Sequence, residues 1–198
     1  MSTLGQNLII RLSAAAAATL ESSERPSELE LKVIELFDES RDSLLRYAVS
    51  LGLSTSDGEE IIQEVFLALF RHLQLGRDGS NLRGWLFRVA HNLALKQRNA
   101  SYKLQQKRHP DGEIIYRQLD PTPNPEEQLM HSQRQERLRA VLQALPEQDR
   151  CCLNLRAEGL RYREIANILG MSLGAVSISL TRALARLGCA DEGYNYAG

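Results

Sequence analysis

Arginines in the C-terminal third of the chain are the residues whose type and spacing first suggest a chemistry, the binding of nucleic-acid phosphates. They lie within and just before the segment Tyr162 to Leu187, in which apolar residues recur at intervals of three and four and Gly170 supplies a tight turn. The small Ala166 and this glycine are what two closely crossing helices require. The spacing predicts a helix-turn-helix, whose second helix enters the major groove of DNA, rather than a generic helical hairpin. These arginines are Arg156, Arg161, Arg163, Arg182 and Arg186.

The apolar positions of this segment predict how its two helices pack. Residues at helical spacing on one face of each helix should meet in a shared core. Ser172 is placed to cap the second helix, because a serine hydroxyl accepts from the free amides of the first helical turn. The positions expected to be buried are Ile165, Ala166, Leu169, Met171, Val176, Leu180 and Leu184.

Residue clusters typical of catalysis or metal binding are not evident in the sequence. The histidines are scattered, without an HExxH pattern or a neighbouring pair of cysteine ligands. No nucleotide-binding glycine loop and no GxSxG serine is present. Cys151 and Cys152 lie on an apolar stretch and are expected in the core. The sequence therefore predicts neither an enzyme nor a bound metal or cofactor.

The composition is that of a globular protein. The chain has 198 residues, of which 43% are hydrophobic and 25% are charged, and these fractions argue against bulk disorder. No apolar run approaches the roughly 20 residues needed to span a bilayer, so membrane insertion is not expected. The start of the chain lacks the apolar core of a signal peptide, and the three cysteines form no disulfide framework. We therefore expect a cytoplasmic protein.

The formal net charge of −1 conceals an uneven distribution. Residues 21–64 hold 12 acidic and 4 basic residues, whereas residues 82–108 hold 7 basic residues and no acidic one. Residues 137–188 hold 8 arginines against 4 acidic residues. Charge blocks are often only solvated faces, but two separate acid-poor blocks indicate contact with a polyanion and leave the acidic block for a protein partner.

The elements that must position these residues are helices, since no stretch shows the alternation of a strand. Prolines at positions 110, 121, 123 and 125 interrupt the pattern and predict a linker. The sequence therefore predicts an all-α fold of two small helical domains. The predicted parts are a weakly ordered N-terminal extension at 1–28, domains at 29–100 and 126–188, a linker at 101–125 and a tail at 189–198. Predicted helices cover Leu29 to Ser50, Glu59 to Leu73, Leu82 to Ala100, Glu126 to Leu145, Glu147 to Ala157, Tyr162 to Leu169 and Leu173 to Leu187.

Three segments resemble regions of the bacterial RNA polymerase sigma factors. Leu145 to Arg150, followed by the helix-turn-helix, is similar to region 4, which opens with a leucine-proline pair. Glu59 to Leu73 resembles the region 2.2 helix. Leu82 to Leu95 resembles regions 2.3 and 2.4, with their tryptophan-leucine and alanine-x-asparagine signature. Two regions in this order, without region 1.1 or a folded region 3, are similar to the extracytoplasmic-function (ECF) group of the sigma-70 family.

The resemblance implies a sigma factor that binds core RNA polymerase, directs it to promoters and promotes strand opening. The implied partners are the β′ clamp helices and β flap of the polymerase, promoter DNA and an anti-sigma factor. Phe66 is expected in the core rather than at the polymerase surface, and Trp85 in the core rather than against a base. The implied polymerase contacts are Glu60, Ile61, Gln63 and Glu64.

The implied DNA contacts lie in both domains. A loop before Trp85 is expected to capture a flipped base of the minus-ten element, and the helix after it to carry a basic strip along one side. The loop residues are Arg77, Asp78, Ser80 and Asn81, and the strip residues are Arg83, Arg88, Asn92, Lys96 and Arg98. For the minus-thirty-five element the implied contacts are Arg161, Ser172, Gly174, Ala175, Ser177, Ser179, Arg182 and Arg186.

The second helix of the helix-turn-helix departs from the family pattern. Ser177 and Ser179 stand where the family usually carries a lysine and an arginine. Their loss would remove two phosphate contacts and weaken binding. Two other functions therefore stay open. A stand-alone helix-turn-helix regulator would leave the region 2 segments unexplained, and a degenerate sigma-like protein that sequesters an anti-sigma factor would be consistent with the serines.

Overall fold

The structure of the protein is a computed structural model that describes the backbone of residues 27–106 and 125–192 and the side chains of residues 27–101 and 134–189. Within these ranges the regular structure is α-helical, which confirms the predicted fold class. The chain divides into two compact units, Met1–Pro110 and Asp111–Gly198. Most of the predicted N-terminal extension (1–26) and linker (107–124) and the end of the tail (193–198) lie outside the described residues.

Three helices form the described part of the first unit: α1 (Glu28–Ser50), α2 (Thr55–Gln74) and α3 (Leu82–Gln106). Each of them packs against the other two. Ser54 begins α2 by accepting a hydrogen bond from the Asp57 amide at 3.1 Å. This is the capping role that a serine before an apolar helical pattern predicts.

Aromatic rings form much of the core of the first unit. Phe37 of α1 meets Phe66 of α2 edge to face, with ring centroids 5.0 Å apart, and Tyr47 of α1 lies 5.7 Å from Phe87 of α3. The Tyr47 hydroxyl is hydrogen-bonded to Nδ1 of His91, 2.8 Å away, so both polar groups find a partner inside the core. Phe66 is fully buried, which confirms its predicted place.

Four helices form the described part of the second unit: α4 (Pro125–Ala144), α5 (Glu147–Ala157), α6 (Tyr162–Leu169) and α7 (Leu173–Glu192). The last helix is central, because α7 packs against each of the other three. The core that results is aliphatic and sulfur-bearing, and it includes the two adjacent cysteines, as predicted. Its buried apolar residues are Leu145, Cys151, Cys152, Leu155, Leu160, Ile165, Ala166, Ile168, Val176, Leu180 and Ala183.

Leu184 was expected in this core, and that prediction is wrong. Its side chain is 57% exposed, whereas Ala183 just before it is fully buried. The buried seam of α7 runs through Val176, Leu180 and Ala183, at steps of four and three. Leu184 lies about 100° further around the helix, beyond the edge of the seam. Leu169 of α6 and Met171 after it, which were also predicted to be buried, are only half-buried.

Several helices extend beyond their predicted ends. α3 continues to Gln106, into the predicted linker, and α7 continues to Glu192, into the predicted tail. Neither extension contains a proline, so no residue type in them forces the helix to stop. α2 begins at Thr55, ahead of the predicted Glu59, because the cap is formed by Ser54.

Candidate polymerase and nucleic-acid interfaces

The outer face of α2 carries the acidic residues predicted to bind the polymerase. Glu60 and Glu64 are exposed and lie about one helical turn apart, with the half-buried Gln63 beside them. Glu59 is instead tied to Arg41 of α1 by an ion pair of 3.1 Å. Of the three acidic residues, Glu59 therefore makes a contact inside the unit, whereas Glu60 and Glu64 are open to a partner.

Ile61 lies in the core rather than on this face. It is 5% exposed and follows the buried seam of α2, in which Ile61, Val65 and Leu69 succeed one another at intervals of four. A side chain buried to this extent offers almost no surface to another protein. The prediction that Ile61 contacts the polymerase is therefore wrong.

The loop between α2 and α3 is held by its own polar groups. The Asp78 carboxylate accepts from the amide and from the hydroxyl of Ser80, each at 2.9 Å. These hydrogen bonds, with a smaller effect of the His72 charge, hold the pKa of Asp78 below its ordinary value. His72 also donates through Nε2 to the Asp78 carbonyl oxygen at 3.0 Å, which fixes the loop to α2. The predicted loop residues Arg77, Asp78, Ser80 and Asn81 are all exposed, as base capture requires.

Asn81 has a structural task as well, because it caps α3. Its side-chain oxygen accepts from the Gly84 amide at 3.0 Å. A Cβ at position 84 would lie 2.8 Å from the side-chain nitrogen of Asn81, so the glycine leaves the space in which the cap sits. Base capture by Asn81 would therefore use a side chain that the helix start already orients.

Three of the predicted α3 residues form one exposed strip, which we call the α3 strip: Arg88, Asn92 and Lys96, at intervals of four. Arg83 is exposed but precedes Asn92 by nine residues, which is about half a turn around the helix at about 100° per residue. Arg98 is half-buried and is turned about 120° away from Asn92. The prediction that these five residues share one side of the helix is therefore wrong for Arg83 and Arg98.

Trp85 lies on the same side of α3 as this strip, three residues before Arg88. It is half-buried rather than part of the core, so the predicted core position is wrong. Its ring packs on His72, with centroids 4.8 Å apart and planes 41° apart. An indole that is partly open beside a basic strip is suited to stack on an unpaired base.

The helices α6 and α7 form the predicted helix-turn-helix. The chain bends by 103° between them, which is within the range of this motif. Gly170 ends α6 with φ +65°, and the Met171 amide donates to the Ala166 carbonyl oxygen at 2.9 Å. The Ser172 hydroxyl accepts from the Ala175 amide at 3.1 Å, which confirms the predicted cap. In the described part of the chain no single helix is long and apolar enough to cross a membrane, and only this bent pair, counted together, reaches that length and composition.

The predicted contacts of this motif divide into exposed and buried residues. Ser179 is 3% exposed and lies within the buried seam of α7, so it cannot meet DNA and that prediction is wrong. Of the two positions where the family usually carries basic residues, Ser177 is therefore the one that faces solvent. Ala175 is half-buried, and the exposed members of the predicted set are Arg161, Ser172, Gly174, Ser177, Arg182 and Arg186.

Arg182 forms an ion pair that ties α7 to α5. Its Nε and Nη2 atoms donate to the two carboxylate oxygens of Asp149, each at 2.6 Å. The Asp149 side chain is fully buried, and that of Arg182 is 47% exposed. The hydrogen bonds from Arg182, helped by one from Ser179 and by the charge of Arg186, hold the pKa of Asp149 below its ordinary value although burial opposes this. The same pair raises the pKa of Arg182.

This pair limits how Arg182 could read the minus-thirty-five element, which stays a prediction. Asp149 occupies Nε and one side of Nη2, so a contact with guanine would have to use Nη1 and the remaining Nη2 hydrogen. Sequence reasoning misses Asp149, because its partner is 33 residues away and its only signal is an acidic residue in the first turn of α5. Close by, burial raises the pKa of the Cys152 thiol, so the thiol stays protonated.

The described histidines serve the fold. His91 is bonded to Tyr47 in the core, and His72 holds the loop through Asp78. Among the residues that the structure describes, no group of three or more His, Cys, Asp or Glu side chains is placed to hold a metal ion.

Comparisons with known proteins fit this arrangement of two helical units. The family models that match are sigma-70 region 2, over residues 36–102, and sigma-70 region 4, over residues 135–187. The ECF RNA polymerase sigma factor SigE of Mycolicibacterium smegmatis is 32% identical over 155 residues, which are 77% of this chain and 59% of that protein. The ECF RNA polymerase sigma-E factor of Escherichia coli K12 is 30% identical over 146 residues, which are 68% of this chain and 74% of that protein.

A solved structure shares the fold. The sigma factor RpoE of Bartonella quintana, crystallised with the anti-sigma factor NepR, aligns with a TM-score of 0.59 at 23% identity, over 80% of this chain and 97% of that one. The region 2 match falls in the first unit and the region 4 match in the second, in the order that the sequence predicts. The chain belongs to the ECF group of the sigma-70 family, the factors that direct RNA polymerase to promoters.

Proposed function

We propose that each of the surfaces described above binds a different partner. The exposed acids of α2 dock on core RNA polymerase, the loop before α3 and the α3 strip hold the melted strand of the minus-ten element, and α7 meets the minus-thirty-five duplex. The factor catalyses no reaction of its own. It works in the cytoplasm, where bacterial RNA polymerase meets the chromosome.

The observation that carries this proposal is the separation of charge within the first unit. α2 presents Glu60 and Glu64 to solvent, whereas the exposed strip of α3 carries Arg88 and Lys96. Residues 82–106 contain no acidic residue. A surface of this kind attracts the phosphates of DNA at α3 and leaves an acidic face on α2 for a basic protein surface.

The loop supports strand capture because it is ordered before any DNA arrives. Asp78, Ser80 and His72 hold its backbone, and Asn81 is fixed by the Gly84 amide. A binding loop that is already ordered loses less conformational entropy when it closes on a ligand. Trp85, in the first turn of α3, offers an aromatic surface to the neighbouring base.

The test of the docking face is the binding of core polymerase by the variant Glu60→Lys/Glu64→Lys. Both residues are exposed, so the fold should persist while the acidic face becomes basic. Gel filtration with core polymerase should show co-elution of the wild type and separation of the variant. The matched control is Glu136→Lys, at an exposed acid of the second unit, which should still co-elute. Retained binding by the double variant would contradict docking through α2.

We also propose that an anti-sigma factor regulates this chain. The Bartonella quintana relative is crystallised with such a partner, which is the observation that favours it here. Run-off transcription separates the readings that the sequence leaves open. Promoter-dependent transcripts made with core polymerase support an active sigma factor. A protein that binds an anti-sigma factor but yields no transcript would be a sequestering relative, and tight duplex binding without polymerase would indicate a stand-alone regulator.

A further inference from the structure

Ile178 is an apolar side chain exposed where the recognition helix α7 should face DNA. It is 63% exposed, although it is an isoleucine in a helix whose other face is fully buried. Gly174, Ser177, Ile178 and Thr181 fall within an arc of about 100° on the side of α7 opposite its buried seam. In a helix-turn-helix the N-terminal part of the second helix contacts base edges, and these four residues lie in that part.

This arc carries no charged residue. Ser179 is buried in the seam, and Arg182 at the edge of the arc is held by Asp149. The commonest specific contact in the major groove is an arginine or lysine that binds guanine through two hydrogen bonds. The four residues of the arc cannot make it, so base discrimination here must use another chemistry.

Folding does not account for the isoleucine. A β-branched residue loses side-chain freedom in a helix and has a lower helix propensity than the lysine usual in exposed helices. At 63% exposure the side chain also contributes little to the core. Gly174 leaves open space beside it, since nothing lies within 4 Å of a Cβ built there. The backbone of α7 can therefore approach a surface closely at this point.

We infer that Ile178 reads the C5-methyl groups of thymine in the minus-thirty-five element, so that A·T pairs are specified at this position by apolar contact. The major groove presents that methyl group as its one apolar mark of sequence. The inference rests on the proposed function of α7. Charge complementarity supports a DNA partner, because Arg161, Arg163 and Arg186 are exposed around the motif and suit the phosphates on either side of a groove.

The experiment replaces thymine by uracil, which pairs identically but lacks the methyl group. Holoenzyme, reconstituted from this sigma factor and core polymerase, first selects its minus-thirty-five sequence from a random library. Each selected thymine is then replaced singly by deoxyuridine, and the dissociation constant of the holoenzyme is measured. One or two positions should lose affinity by about three- to fivefold, the value expected for one buried methyl group. The remaining positions should change little.

The variant Ile178→Ala assigns the effect to this side chain. It should bring the thymine-to-uracil ratio at the sensitive positions close to one. Leu184→Ala is the matched control, because Leu184 is also apolar and exposed on α7 but lies about 120° around the helix from Ile178. That control should keep the full ratio. Circular dichroism should show both variants folded, since neither residue is buried.

The outcomes separate this inference from the function on which it rests. If the holoenzyme binds no promoter at all, the proposed role of the chain fails. If it binds promoters but no thymine is sensitive, or if Ile178→Ala keeps the thymine-to-uracil ratio, the inference about Ile178 is overturned while the role stands. If Ile178→Ala leaves promoter binding unchanged but weakens binding to core polymerase, the arc is a protein contact and the inference is likewise overturned.

Discussion

The core of the region 2 unit is rich in aromatic rings, whereas the region 4 unit buries the carboxylate of an ion pair. In the first unit Phe37, Phe66 and Phe87 supply large apolar areas, which do not depend on ionisation. In the second unit the described apolar core is aliphatic or cysteine, and Asp149 with Arg182 joins α5 to α7. The second unit therefore holds a polar contact whose loss on the Arg182 side leaves a buried charge without its partner.

The proposed DNA-binding surfaces of the two units differ in charge, and here it is the first unit that carries it. The α3 strip of the first unit carries Arg88 and Lys96, whereas the outer arc of α7 is uncharged. The first unit thus combines a core of rings with a charged strip on α3, and the second combines a buried carboxylate with an uncharged arc on α7. Binding of the melted strand should therefore depend strongly on salt, while base discrimination by α7 should depend on it little.

The largest expected effect is on the aromatic core. Phe66→Ala should lower the free energy of unfolding of the first unit by about 3–5 kcal/mol, because it empties a fully buried ring site against Phe37. Denaturant unfolding followed by circular dichroism measures the loss. Leu67→Ala, next to it but half-buried, is the control and should cost much less. Hydrogen exchange in α5 and α7 should be unchanged. Faster exchange there would contradict the view that the two units have separate cores.

The next effect tests the ion pair. Asp149→Ala should lower the free energy of unfolding of the second unit by about 2–3 kcal/mol, since the hydrogen bonds to Arg182 are charged. Arg182→Met should cost more, because it leaves the buried carboxylate unpaired, whereas a lone Arg182 can still reach water.

A double-mutant cycle sharpens this test. The double variant Asp149→Ala/Arg182→Met should be more stable than Arg182→Met alone, because the orphaned carboxylate is gone. Arg186→Met is the control, at an exposed arginine one turn further along α7, and it should change stability little. Equal and small losses for both single variants would show that the pair is only a surface contact.

A smaller loss is expected for the neutral hydrogen bond of the first unit. Tyr47→Phe keeps the ring against Phe87 but removes the partner of the buried His91 Nδ1 atom. The free energy of unfolding should fall by about 1 kcal/mol, the usual net value of such a bond. Thermal unfolding measures it. A loss as large as that of Asp149→Ala would mean that the first unit depends on this hydrogen bond as much as the second unit depends on its ion pair.

The smallest expected effect is the change with pH in the stability that Asp149 contributes. The pKa of Asp149 is lowered in the folded chain, so the stability that it contributes is present above its unfolded pKa of about 3.9 and is lost as pH falls through the folded value. The difference in stability between wild type and Asp149→Ala should therefore be constant near neutral pH and shrink below about pH 4. Acid titrations of both proteins by circular dichroism would show this convergence. A difference that persisted unchanged to the lowest pH would contradict it.

Local patterns predict the helices well, because apolar spacing and caps such as Ser54 and Ser172 act within a few residues. The site is harder to predict, because the helical period alone does not say which edge of an apolar stripe is covered. Ile61 and Leu184 fall at such edges: the sequence predicts an exposed Ile61 and a buried Leu184, and the structure shows the reverse. Arg182 shows the other reason, since its partner comes from a distant helix that no spacing in the sequence connects to it.

Gly84 changes how a mutational map of this protein would have to be interpreted. It has no side chain to offer a base or a polymerase, yet any Cβ there meets the Asn81 amide group that caps α3. A scan of all substitutions through the loop, scored by promoter opening, should mark position 84 as sensitive to bulky side chains, because Gly84 is buried beside the Asn81 cap. Sensitivity there would report the displacement of the Asn81 side chain and not a contact with DNA. A map of sensitive positions would therefore overstate the DNA-binding surface of this loop by one residue.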